Sequence, residues 1–197
     1  RPMRTWLLIA LLALPSAALA QETAGGEAPR PGADAYTQRT QAGIALLTGG
    51  DTPGALAAFR EAIEMDGGRP MAPYYVAAAQ RMSGELDAAL TGFQQAAALA
   101  EAANAPRWRA RALQGVADTL ERMEGRIQDA RSAWQAYIAF ADANQAVAFP
   151  QMGRAHLAAI DRVLEQEGAY GDVRERIAAR ERELAEEAQE SSRSRRR

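Results

Sequence analysis

Residues 50–66 read GDTPGALAAFREAIEMD, and residues 84–100 read GELDAALTGFQQAAALA. Gly50, Ala55, Phe59 and Ala62 return as Gly84, Ala89, Phe93 and Ala96, each displaced by 34 positions. In either copy the alanine, the aromatic and the second alanine stand four and then three residues apart, which puts them on one face of a helix. The glycine ahead of them suits the turn inside a helical hairpin, where a residue at positive φ ends the first helix. A two-helix unit of this size cannot bury its own apolar face, and repeating it makes a continuous core.

Working outward from this pair, apolar residues keep a helical spacing almost throughout, and no run of strand alternation stands out. Breakers divide the region into eight expected helices, near Ala35 to Leu47, Pro53 to Met65, Pro73 to Met82, Glu85 to Ala103, Pro106 to Met123, Ile127 to Ala141, Pro150 to Gln166 and Asp172 to Glu190. Thr52 is expected to cap the second helix, with Pro53 in its first turn. Pro73, Pro106 and Pro150 suit the same early position, where a missing N–H costs nothing. Alanine supplies much of the 48% apolar content and Phe, Trp and Tyr only 6%, which favours closely approaching helices. The expectation is an all-α chain of helical hairpins.

The 34-residue period and these residues resemble the tetratricopeptide-repeat family. Its small residue in the first helix matches Gly43 and Ala77, followed by the turn glycine and the Ala, Phe, Ala series. A third unit aligns with its turn at Gly125 and Ala130, Trp134 and Tyr137 in the core places. A fourth turns at Gly168, with Val173 and Ile177 in those places. The family's first-helix Trp is absent, and Leu46 and Gln80 stand where Tyr is usual. The resemblance spans about Ala35 to Glu190 and implies a right-handed superhelical solenoid of about eight helices.

The N-terminal MRTWLLIALLALPSAALAQ has a basic start at Arg4, an apolar run from Trp6 to Leu14, Pro15, and small residues at Ala18 and Ala20. That is the layout of a secretory signal with cleavage after Ala20, and it is too short to span a bilayer. Residues 1–20 are therefore read as a signal peptide and residues 21–34, rich in Gly, Pro and Ala, as a flexible linker. Residues 35–190 form the repeat domain and 191–197 a disordered basic tail. The chain is expected to be exported, periplasmic or secreted, with no membrane span after cleavage.

Residues 21–190 hold 17 arginines against 25 acids, while the final SSRSRRR holds four arginines and no acid. An acidic body gives no case for nucleic acid; the tail offers at most a weak contact with an anionic surface. The chain has no cysteine, so disulfides and thiolate chemistry are excluded. His156 is the lone histidine and has no acid at its fourth neighbour on either side. No metal, phosphate-loop or nucleophile-elbow motif occurs. No enzyme activity and no cofactor are expected.

What remains is a binding surface. In the resembled family the first helix of each unit lines a concave groove, and its groove positions fall on Thr37, Thr40, Ile44 and Leu47 in the first unit. They fall on Tyr74, Arg81 and Met82 in the second, Thr119, Arg122 and Met123 in the third, and Arg162 in the fourth. Arg81-Met82 and Arg122-Met123 are expected in the same place of successive units. An arginine beside a methionine can hold a carboxylate while adapting to an apolar side chain. The expected function is a protein-interaction scaffold or adaptor of the cell envelope. Two alternatives stand beside it: a self-associating helical spacer, and an accessory subunit of a cell-wall enzyme. The charged helix after Asp172 reads as a solvating cap or, alternatively, a short coiled coil.

Overall fold

The structure, a computed structural model, describes residues 34–194 of the 197. The expected signal segment, all of the linker but Asp34, and Arg195, Arg196 and Arg197 of the tail lie outside the described residues. Seven helices occupy the described chain: α1 Ala35–Thr48, α2 Thr52–Met65, α3 Met71–Met82, α4 Leu86–Ala102, α5 Pro106–Arg122, α6 Ile127–Ala143 and α7 Pro150–Ser194. No strand occurs among the described residues, so the chain is all-α there.

Two of the turns are built alike, for the reason the repeat suggested. Gly50 and Gly84 take φ of 87° and 82°. The residue after each donates its N–H back to the helix just ended, Asp51 to Leu46 O and Glu85 to Gln80 O, both at 2.9 Å. This bonding needs a left-handed residue at the corner, which glycine supplies without a Cβ penalty. Asn104, at φ 49°, plays the same part between α4 and α5, where Ala105 N–H reaches Ala100 O at 2.8 Å. The cap of α2 differs from expectation. Asp51, one residue earlier than Thr52, accepts the Gly54 N–H at 2.9 Å, and Thr52 and Pro53 sit inside the first turn.

Each helix packs on its successor, and α1 also meets α3 as α3 meets α5. The interior falls into three clusters that share helices. Tyr36, Phe59 and Ala72 join α1, α2 and α3; Tyr74, Phe93 and Ala112 join α3, α4 and α5. Leu120, Trp134, Tyr137 and Ile160 join α5, α6 and α7. Ala55, Phe59 and Ala62, their counterparts Ala89, Phe93 and Ala96, and Ala130, Trp134 and Tyr137 are all fully buried or nearly so. Large rings of the even-numbered helices rest on glycines of odd-numbered ones: a Cβ on Gly43 would come within 2.5 Å of Phe59, and one on Gly115 within 2.5 Å of Phe93. Such a seat admits hydrogen only.

The C-terminal third departs from the expected pattern. The seventh and eighth predicted helices are one element of 45 residues, so the described helices number seven and no turn forms at Gly168. Neither Gly168 nor Gly171 takes positive φ, and no proline interrupts α7 after Pro150. A helical glycine costs only about 1 kcal/mol relative to alanine, which the Arg-, Glu- and Ala-rich flank outweighs. Val173 and Ile177, expected in the core of a fourth unit, are instead exposed, Ile177 at 54%. The helix also continues through Ser194, past the expected start of the tail at residue 191.

Candidate functional site

The predicted groove residues do not form one surface. Thr40 and Thr119 are fully buried, and their hydroxyls donate to the carbonyls of Tyr36 at 2.8 Å and Gly115 at 2.6 Å, one helical turn back. Their short side chains are spent on their own helices, so neither faces a groove. Leu47 is a core residue as well, and Ile44 packs beside it. Thr37 receives a hydrogen bond from Arg69, whose guanidinium also pairs with Asp34 and lies 4.1 Å from the Tyr36 ring centre. That arrangement ties the start of α1 to the connection before α3.

Tyr74 lies almost wholly within the second cluster, in edge contact with Phe93 and 5.5 Å from Trp108 between ring centres. Tyr75 adjoins both Tyr74 and Trp108, and Arg111 covers the Trp108 ring at 5.1 Å. This aromatic shelf spans the α3–α5 seam. Trp108 and Arg111 were not among the expected groove residues, because neither carries a repeat signature.

The two arginine-methionine pairs are not equivalent. Arg81 is inserted, its side chain 12% exposed, with Nη1 3.4 Å from Asp118 Oδ2 and the guanidinium over Phe93, while Met82 stands 54% exposed. In the later pair Arg122 is exposed and Met123 is drawn half-way into the third cluster. Met123 has left α5 with an extended backbone, φ −87° and ψ 127°, which turns the pair over. Arg162 is exposed on α7.

Beside Arg81 lies a polar cluster assembled from four helices. Asp118 of α5 faces Arg81 of α3, with Gln114 Nε2 at 3.5 Å. Burial pushes the Asp118 carboxyl up, against the pull of Arg81. One turn on, Glu121 takes the indole N–H of Trp134 from α6 and meets His156 Nδ1 of α7 at 2.9 Å, all on the same Oε1. The His156 ring stacks on Trp134 with centroids 4.2 Å apart. The bond to Glu121 raises the His156 pKa above its ordinary 6.5, burial opposing it. The acid missing at the histidine's fourth neighbours is thus supplied from 35 residues away. Among the described residues no three His, Cys, Asp or Glu side chains converge to hold a metal ion, and no helix is long and apolar enough to cross a membrane.

Chemically, the α3–α5 seam offers fixed guanidinium donors, an aromatic shelf and an exposed methionine. That combination can take oxygen atoms and apolar side chains of an extended chain together. Compared with known proteins, the chain matches no family model and no curated protein.

Proposed function

We propose that this chain is an exported helical-repeat protein of tetratricopeptide type, a non-enzymatic adaptor that holds a segment of another envelope protein along the face of α1, α3 and α5. The row of contacts between alternate helices supports a solenoid in which these helices line one side. The observation that carries the binding reading is the α3–α5 seam, where Arg81 is fixed by Asp118 and Arg111 lies on Trp108 next to Tyr75. Side chains held this way lose little freedom on binding, which favours recognition by a preformed surface. An envelope enzyme that this chain accompanies is one class of partner, with the chemistry then belonging to that enzyme.

Crosslinked capture from an envelope fraction tests the reading. Arg81→Glu is a poor probe, because it sets a second carboxylate against Asp118 and would disturb the fold. Arg111→Glu with Arg122→Glu instead reverses charge on the Trp108 shelf and at the exposed end of α5, and Arg60→Glu, exposed on α2, is the control. Capture of one protein by the wild type and the control, lost in the double variant, is expected. Equal capture by all three would move the binding surface away from this face.

A further inference from the structure

Beyond Leu164, which still packs on the third cluster, α7 runs on with four large apolar side chains in the open: Tyr170, Val173, Ile177 and Leu184. Tyr170, Ile177 and Leu184 stand seven residues apart, in step with Val163 before them, and Val173 lies three after Tyr170. That is one seam position of a two-stranded coil sustained over three heptads, the second being Gln166, Val173, Arg180 and Glu187, on a stretch with no other helix against it among the described residues. Gly168 and Gly171 weaken the same stretch, so it is a poor candidate for a helix that stays solitary.

We propose that this projecting part of α7 pairs antiparallel with the same segment of a second copy of the chain. The charges flanking the stripe select both the partner and the register. With Val173 opposite Leu184 of the second copy, Ile177 lies opposite its Arg180 and Tyr170 opposite its Glu187, so each seam charge meets an apolar side chain rather than its own like. The stem of Arg180, whose guanidinium pairs with Glu183 of its own helix, covers the isoleucine. The flanks then place Arg174 against Glu181 and Arg176 against Glu183, and symmetry repeats both pairs. Sliding the copies by one heptad toward the body sets Arg174 against Arg174 and Arg176 against Arg176. A second such slide brings Leu184 of the second copy to Ala159, the level at which Ile160 is already buried against the body. Parallel pairing stacks Arg180 on Arg180 and Glu187 on Glu187 within the seam. Only the first arrangement joins unlike charges throughout without meeting the body. The pairing is independent of the groove on α1, α3 and α5.

Sedimentation of the full chain over a concentration series should show the mass rising from one copy to two. Ile177→Asp with Leu184→Asp should abolish the rise. Arg174→Glu with Arg176→Glu should suppress it, and adding Glu181→Arg and Glu183→Arg should restore it, a rescue that mere damage to the helix would not give. Because the chain has no cysteine, Val173→Cys and Leu184→Cys report the direction. Under oxidation they should crosslink when mixed and not when alone. A wild type that stays single at every concentration, a charge reversal without rescue, or each cysteine variant linking to itself would overturn the proposal.

Discussion

At the scale of single residues, Gly115 and Gly168 differ in what an added methyl group would meet. A Cβ at Gly115 would press into the fully buried Phe93 ring, whereas one at Gly168 meets open space. Gly115→Ala is therefore expected to cost about 1–3 kcal/mol through overpacking. Gly168→Ala should instead add about 0.5–1 kcal/mol of helix stability. Urea titration of the two variants, followed by circular dichroism, checks both signs. His156 gives a second prediction. Its pKa is raised in the fold by Glu121, so its contribution to stability is whole below pH 6.5 and is lost as pH rises through the higher folded value. Asp118, raised by burial, acts in the same sense over a lower window that begins at 3.8. In Glu121→Gln the decline in urea midpoint above pH 6.5 should flatten. The titration of the lone histidine by NMR should also move down toward its ordinary value. An unmoved titration would mean that Glu121 does not set it. Neither Asp118 nor Glu121 was legible as a site residue, because each acquires its neighbours from other helices, at separations no local pattern encodes.

Individual elements were legible wherever a breaker forces a backbone conformation. Gly50 and Gly84 announced their turns because a positive φ is nearly theirs alone, and Pro106 and Pro150 stand at the first residues of their helices as the missing N–H requires. Gly168 misled for the complementary reason: a glycine permits a turn without compelling one, and no residue around it prevents the helix. The division within α7 that the sequence does carry is one of burial. Gly153 and Ile160 are buried and Leu164 packs on the third cluster, while the side chains described beyond it are exposed apart from the half-buried Gly171. Amide exchange in dilute solution should follow that division, with slow exchange up to about Leu164 and fast exchange after Gly168. At concentrations where two copies pair, the stretch around Tyr170 to Leu184 should slow. Uniform protection of α7 at high dilution would contradict this division.

For the whole molecule, the decisive feature is that neighbouring clusters share helices: α3 belongs to the first and second, α5 to the second and third. Damage should then spread according to position. Phe59 and Phe93 occupy the same place in the repeat and are equally buried, so truncating either to alanine removes a similar ring at about 3–5 kcal/mol. Their consequences should differ. Phe59 sits in the terminal cluster, and a local opening of α1 and α2 can absorb its loss while α5 to α7 keep their packing. Phe93 sits in the middle, touching Tyr74 of α3, lying under Arg81 and resting on Gly115 of α5, so its loss loosens the contacts that join both ends. In a chain whose stability is a sum of nearest-neighbour terms, a terminal defect frays and a central one uncouples. Hydrogen exchange should show faster exchange confined to α1–α3 in Phe59→Ala. In Phe93→Ala it should reach from α3 to α5, with a broader urea transition as the two ends unfold apart. Equal, uniform loss of protection in both variants would instead mark a single cooperative core, and the shared helices would then be transmitting packing along the full described length.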